Sequence, residues 1–328
     1  MDLSVVVPVY HGALTLPDLV PQLITVLKGT GRSFEIVLVD DGSKDGSWKV
    51  IRDLQSAYPE LVVAVQLMRN YGQHNALMAG FRTTRGELIV TMDEDLQHPP
   101  AEVPKLIDAI EALELDVVYG WYDSKRHAGW RNLGSILVNA FYRKVFRLAI
   151  HPTAFRIIRR CVLDCIFSYS LNYTYIDGLL AWNTSRIGEV QVAHQLRAAG
   201  RSGYSVARLL LLALNMFTNF SLIPLQFVSV CGIVVSLGGI LLATYYLFKY
   251  FVHGIGVPGY ASLMIAMLVL FGIQLLAQGI QGEYLGRLHL NVNRKPQYSV
   301  RQVLDTRAAL ANGPATLRDK AVAPPAQG

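Results

Sequence analysis

No Asp, Glu, Lys or Arg stands between Arg208 and Lys249, and the next uncharged run extends from Tyr250 to Gly282. Nothing else in the sequence constrains folding as strongly. Each run can hold a segment of about 20 apolar residues, roughly the length that crosses a bilayer as a helix. Spans are expected at about Gln226–Phe248 and Tyr260–Ile280. The stretch between them, "KYFVHGIGVPGY", is short and has Gly and Pro to reverse the chain. Two hydrophobic core helices are the competing reading. Composition favours membrane, because 52% of the residues are hydrophobic and 16% charged, with the apolar excess gathered in this one region. Arg287, Arg294, Lys295 and Arg301 follow the second run, whereas the turn carries only Lys249 at its edge. The positive-inside bias therefore puts both termini, and the soluble part, in the cytoplasm. The start "MDLSVVVPVYH" has an acid in place of a basic region and an early Pro8, so it does not read as a signal peptide.

The first 120 or so residues alternate two kinds of segment. Strand-like runs "LSVVVPVY", "FEIVLVDDG", "LVVAVQLMRN", "ELIVTMDED" and "LDVVYG" are separated by helix-like stretches at Leu14–Lys28, Ser47–Ala57, Gln73–Thr84 and Ala101–Leu113. Near-continuous Val/Ile/Leu strands alternating with amphipathic helices predict an α/β fold, a parallel sheet covered on both faces. Ligands bind such sheets beyond the carboxyl ends of the strands. Asp40-Asp41, Arg69-Asn70 and Asp93-Glu94-Asp95 all fall at those ends.

Two further amphipathic helices are expected at Trp130–Phe146 and Tyr204–Phe220, with basic residues beside bulky apolar ones, and either could lie in a membrane interface. The organisation read from the sequence is a cytosolic catalytic domain over residues 1–204, an interfacial helix over 205–223, two transmembrane helices within 224–286, and a cytosolic segment over 287–328, disordered from about Asp305. Cys161, Cys165 and Cys231 lack paired ligand spacing and receive no role. A net charge of +6 without a dense Lys/Arg stripe suits anionic headgroups better than nucleic acid.

Three acids end the apolar run "ELIVTMDED". Aspartates at i and i+2 leaving a strand can place two carboxylate oxygens near one hard divalent ion, Mg²⁺ or Mn²⁺, which would also bind substrate phosphates. A solvated acidic turn fits the triplet equally well. His74, His98 and His194 are scattered and lack paired cysteines, so surface or supporting roles are expected of them rather than zinc.

The surroundings decide between the two. "VPVYHG", "VLVDDGSKDGS", "MRNYGQHNALMAGF", "MDEDLQHPPAEVP" and "HQLRAAGRSGYS" occur in this order and are followed by the two apolar runs. Over about residues 3–303 this resembles the family-2 glycosyltransferases that move a sugar from a nucleotide to a polyprenyl phosphate. The resemblance implies a GT-A (Rossmann-like) domain with interfacial helices and a C-terminal transmembrane hairpin. It implies a nucleotide-sugar site at Pro8, Tyr10, Asp40, Asp41, Asn70 and Asp93, and a divalent metal held by Asp93, Asp95 and Gln97. Catalysis would fall to Asp95, Arg131 and Arg197, and the acceptor phosphate to Arg126, Arg131, Arg197 and Ser202. It further implies a multi-pass protein of the bacterial cytoplasmic membrane, and a homo-oligomer, since relatives tend to form tetramers. The chain departs from the family pattern at four places. It has His11-Gly12 for Asn-Glu, Glu94 for Ala, Gly203 where Lys is frequent, and "HPTAFR" where an Asp-Gly pair usually precedes Phe-Arg.

A lipid phosphate is already mostly ionised near neutral pH, so its attack on a sugar needs no dedicated base. Cationic help is needed on both sides, and Lys125, Arg126, Arg131, Arg197 and Arg201 supply it. The expected reaction is a single displacement that inverts the anomeric centre. A processive polysaccharide synthase is the nearest alternative, but its Gln-x-x-Arg-Trp motif is absent and only two spans are read. A non-catalytic nucleotide-binding scaffold would have lost Asp95 or the arginines, and all are present.

Overall fold

The computed structural model describes residues 1–122, 151–169, 174–193, 223–253, 259–293 and 296–307. The two amphipathic helices expected at Trp130–Phe146 and Tyr204–Phe220 lie outside these residues, as do Arg126, Arg131, Arg197 and Ser202. The chain divides into two compact units, Met1–Ser202 with Pro296–Gly328, and Gly203–Lys295.

In the first unit, β1 (Leu3–Val9), β2 (Phe34–Asp40), β3 (Val62–Leu67) and β4 (Leu88–Thr91) alternate with α1 (Leu16–Gly29), α2 (Ser47–Ala57), α3 (Gln73–Thr83) and α4 (Val103–Ala112). All residues of β1 and β2 are buried, as expected of strands covered on both faces. α1 buries Leu16, Leu19, Val20, Leu23, Ile24 and Leu27, the spacing of one helical face, and Pro at its first turn suits an end where the backbone N–H has no helical partner. Beyond α4 come β5 (Val117–Trp121), β6 (Arg156–Arg159), α5 (Arg160–Ile166), α6 (Ile176–Asn183) and β7 (Ile187–Gln191).

These strands and a late one, β8 (Val300–Leu304), form a single sheet in the order β7-β5-β6-β4-β1-β2-β3-β8. The sheet is mixed rather than parallel throughout. β4, β1, β2 and β3 run parallel, but β6 is antiparallel to both β4 and β5, and β8 is antiparallel to β3. Neither β6 nor β8 was read as a strand from sequence. The run "FRIIR" interrupts its apolar residues with charge, and β8 alternates half-buried with exposed residues, as an edge strand does.

The segment after β8 is held to the sheet as far as Arg307. Glu35, fully buried at the start of β2, accepts the Ser4 hydroxyl at 2.6 Å and the Arg85 N–H at 2.6 Å, and pairs with the Arg307 guanidinium. Arg307 Nε also meets Asp305 at 2.7 Å. A buried carboxylate needs a cation, and the segment after β8 provides it.

The second unit holds α7 (Ile223–His253) and α8 (Tyr260–Val292), of 31 and 33 residues. The two spans expected from sequence fall inside them. Large apolar side chains are exposed along both, Leu241, Phe251 and Leu275 among them. Among the described residues, no helix is long and apolar enough to cross a membrane. Several side chains within both helices lie outside that set, and the uncharged runs of the sequence continue through them.

Candidate active site

The parallel strands β4, β1, β2 and β3 are neighbours, so their carboxyl ends open side by side. A cleft of about 230 Å³ lies there, lined by residues from all four ends: Pro8, Val9 and Tyr10 at the end of β1, Asp41 after β2, Asn70 and Gly72 between β3 and α3 with Gln73 at the start of α3, and Asp93, Glu94 and Asp95 after β4. This is where a sheet of this kind binds its ligand.

Two aspartates tie the loops together. Asp41, almost fully buried, accepts the Tyr71 N–H at 2.7 Å on one oxygen and the Gly72 N–H at 2.8 Å on the other. Burial, with Asp40 beside it, still pushes its carboxyl up to about 6, against the pull of those two bonds. Asp40 is fully buried behind the cleft and shapes the turn, accepting the Ser43 N–H at 3.1 Å and the Gln66 amide at 3.4 Å. Between this turn and the end of β3 the backbones nearly touch. A Cβ on Gly42 would lie 2.4 Å from the carbonyl carbon of Arg69, and its φ is +67°, so only glycine serves both needs.

At the end of β4, Asp93 accepts the Gln73 side-chain amide at 2.6 Å, and Asp95 accepts the Gln97 N–H at 3.1 Å. Burial first, then the charges of Asp93 and Asp95, push the Glu94 carboxyl up to about 7. The same two charges raise the Tyr122 phenol, after burial. Asp93 and Asp95 thus bring two carboxylates to one end of the cleft. Among the described residues no group of three or more His, Cys, Asp or Glu could hold a metal ion. A divalent ion there would complete its shell with substrate oxygens, as Mg²⁺ does when it keeps few protein ligands.

Beneath the acids sits a buried cation that the sequence reading missed. Arg156 of β6, 2% exposed, faces Thr91 of β4 in register and donates from Nε to its hydroxyl at 3.2 Å. Its Nη1 pairs with Asp177 of α6, which also accepts the Tyr119 hydroxyl at 2.8 Å. Asp93 lies within electrostatic reach of this guanidinium. The clue was an arginine inside the apolar stretch "AFRII". His74 stands edge-on to Tyr175 with ring centroids 5.1 Å apart. Burial and then the Arg156 charge push it down to about 3, so it is neutral. His98 is buried and stacked on Phe155, with centroids 5.1 Å apart. Of the surface or supporting roles expected of these histidines, half-buried His74 and buried His98 fit the supporting one, and His194 lies outside the described residues.

Of the residues singled out in the sequence, Pro8, Tyr10, Asp41, Asn70, Asp93 and Asp95 line one cleft, while Asp40 and Gln97 shape its turns.

The family model for glycosyl transferase family 2 matches residues 4–169. An undecaprenyl-phosphate 4-deoxy-4-formamido-L-arabinose transferase from Pseudomonas paraeruginosa is 38% identical over 320 residues, 96% of this chain and 93% of the relative. A protein of the same name from Aeromonas hydrophila is 33% identical over 306 residues, 92% of this chain and 93% of the relative. Among solved structures, the glucosyl-3-phosphoglycerate synthase of Mycobacterium tuberculosis aligns with a TM-score of 0.46 and 19% identity, over 63% of this chain and 75% of that one.

Proposed function

Since the chain belongs to glycosyl transferase family 2, we propose that it transfers a sugar from a nucleotide-sugar donor to undecaprenyl phosphate at the cytoplasmic face of a membrane, with inversion at the anomeric carbon. The observation that carries the proposal is the single cleft that joins Asp41 and Asn70 to Asp93 and Asp95, in a chain that aligns almost end to end with relatives named for this acceptor.

The chemistry follows from the groups available. An oxygen of the ionised lipid phosphate attacks the anomeric carbon from the face opposite the leaving group. The bond to the diphosphate breaks, and the nucleoside diphosphate departs with the electron pair. Since the nucleophile is already ionised, no side chain has to remove a proton. A divalent ion held by Asp93 and Asp95, Mg²⁺ or Mn²⁺, would neutralise charge growing on the leaving diphosphate. Gln73 orients Asp93 through its amide, and the Gln97 N–H fixes Asp95. Asp41 holds the Tyr71–Gly72 backbone as one wall, and Pro8 and Tyr10 form the wall along which the nucleoside lies. Arg126, Arg131, Arg197 and Ser202 are assigned to the acceptor phosphate, because an arginine fork gives two charge-assisted bonds to a phosphate.

The acceptor is a lipid, and α7 and α8 are assigned as its membrane hairpin. At 1.5 Å per residue each is about 45–50 Å long, more than the roughly 30 Å of hydrocarbon. Exposed apolar side chains along both suit lipid contact. The strand that follows them, β8, pairs with β3 in the same sheet as β1. Both ends of the helix pair therefore connect to one unit, which requires an even number of crossings.

The test is incubation of the purified chain with undecaprenyl phosphate and a panel of nucleotide sugars, followed by mass spectrometry of the lipid fraction. The reading predicts one lipid-linked sugar for one donor of the panel, and loss of transfer with retained donor binding in Arg131→Lys. Consumption of a donor in favour of a water-soluble glycoside would overturn it.

A further inference from the structure

Shortly after α8 ends at Val292 the chain rejoins the first unit at Pro296. The Ser299 carbonyl accepts the Met68 N–H at 2.9 Å, and Val300 pairs with Leu67 at the end of β3. The register then jumps, because Gln66 pairs with Gln302 and Arg301 is left as an extra residue on β8. A bulge of this kind bends its strand and re-aims the chain beside it. Ahead of the bend, Gln297 donates its side-chain amide to the Tyr169 carbonyl at 3.3 Å. Between these two bonds the half-buried Tyr298 packs, with Val300, on the apolar layer that contains Leu77, Met78 and Phe81 of α3. Arg82 of α3 closes the same corner, donating to the Phe167 carbonyl at 2.8 Å and lying over the Phe167 ring.

Met68 and α3 bracket one wall of the cleft, the stretch that carries Asn70, Gly72 and Gln73. On the cleft side this wall is held by carboxylates, since Asp41 takes the Tyr71 and Gly72 N–H groups and Asp93 takes the Gln73 amide. Those bonds leave a joint in the middle. Gly72 has a φ of +88°, and a Cβ built on it would meet nothing within 4 Å, so neither a side chain nor a neighbour limits its turn. The orientation of the wall therefore depends on what fixes its two flanks, and Gln297–Val300 bears on both: Met68 through a backbone bond, α3 through packing. The later contacts of the same segment lie elsewhere. Thr306 donates to the Pro59 carbonyl at 2.6 Å, and Arg307 pairs with Glu35.

Resting on the donor reading above, we propose that Gln297–Val300 is a clasp on the β3–α3 wall, and that Tyr298 is its positioning residue, acting on donor affinity through Met68 and α3 without lining the cleft. The segment that ties the helix pair to the sheet thus also sets the shape of the donor cleft. A wall fixed before the donor arrives spares the donor the cost of ordering it, and that saving appears as affinity.

The experiment measures binding of UDP, CDP, GDP, ADP and dTDP with Mn²⁺ to the full chain in detergent by calorimetry, and amide hydrogen exchange in peptides covering Met68–Gln73 and β1. In Tyr298→Ala the tightest binder of wild type should weaken about 3- to 10-fold, the worth of one hydrogen bond. Met68–Gln73 should exchange faster while β1 keeps its wild-type rate, the mark of a local opening. Tyr298→Phe keeps the ring and should restore both. Gln297→Ala removes one bond and no packing; it should show the same changes to a smaller degree, and it carries the test if Tyr298→Ala does not fold. Thr306→Val, at the other end of the segment, should lower Tm and leave donor affinity and Met68–Gln73 exchange as in wild type. Wild-type affinity and exchange in both Tyr298→Ala and Gln297→Ala would overturn the clasp. Equal weakening by Thr306→Val would also overturn it, leaving the segment a source of stability alone. No binding of any diphosphate by wild type would instead overturn the donor reading, and exchange at Met68–Gln73 would then decide the clasp by itself.

Discussion

Replacing Asp177 by Asn keeps the shape of the residue and leaves the Arg156 guanidinium buried without its counter-ion. Arg156 is 2% exposed and Asp177 8%, so little water can take over. Breaking a buried pair from one side costs about 3–5 kcal/mol, because the remaining charge is uncompensated. The first unit draws on roughly 200 residues, for which about 2–4 °C of Tm accompanies each kcal/mol, so the expected fall is about 6–20 °C. Tyr119 also loses its charged acceptor, which places the effect toward the upper part of that range. Thermal unfolding of the full chain in detergent, followed by tryptophan fluorescence, measures it. The companion variant removes both charges, Arg156→Met with Asp177→Leu, and should recover most of the loss, since an apolar pair of similar volume can replace a buried ion pair. It should nevertheless weaken Mn²⁺-dependent nucleotide binding, because Arg156 holds Thr91, two residues before Asp93. A shift below about 2 °C in Asp177→Asn, or a double variant as unstable as the sum of the singles, would refute the reasoning.

Four further outcomes are expected. His74 is neutral when folded, with its pKa pushed down to about 3, so the unfolded chain takes up its proton first and stability falls as pH drops below about 6.5; urea titrations from pH 7 to 4 should show a shallower fall in His74→Gln. Asp41 has the opposite sign. Its folded pKa of about 6 exceeds the ordinary 3.8, so stability is lost as pH rises from about 4 to 6, and Asp41→Asn should flatten that part of the same titration. Ending the chain at Leu304 strips the Arg307 cation from fully buried Glu35, and a loss of about 3–5 kcal/mol in denaturant unfolding is expected, with Glu35→Gln restoring part of it. Asp95→Asn should nearly abolish transfer, and excess chelator should do the same to wild type; turnover that survives the chelator would remove the ion from the account.

The parallel half of the sheet was open to reading because β1 to β4 are buried on both faces and so carry unbroken Val/Ile/Leu runs. Their carboxyl ends were marked by Asp41, Asn70, Asp93 and Asp95, and these four do meet in one cleft. What escaped was whatever depends on contacts distant in sequence. β8 pairs with a strand more than 230 residues earlier, and alternation over five residues gives little sign of it. Arg156 received no role because its partners, Thr91, Tyr119 and Asp177, come from three separate elements. The departures at Gly12 and at Glu94 looked independent along the chain, yet they are one feature, a side chain filling the space its neighbour lacks.

The central claim is that the sugar, and not a sugar phosphate, moves to the lipid. Donor labelled with ³²P in its β-phosphate decides this in one reaction with undecaprenyl phosphate. The account predicts that all of the label leaves as nucleoside diphosphate, and that the lipid product carries one phosphate, its own. Label in the lipid fraction, with release of a nucleoside monophosphate, would mean that the chain joins a sugar phosphate to the lipid through a diphosphate, and would contradict the displacement at the anomeric carbon.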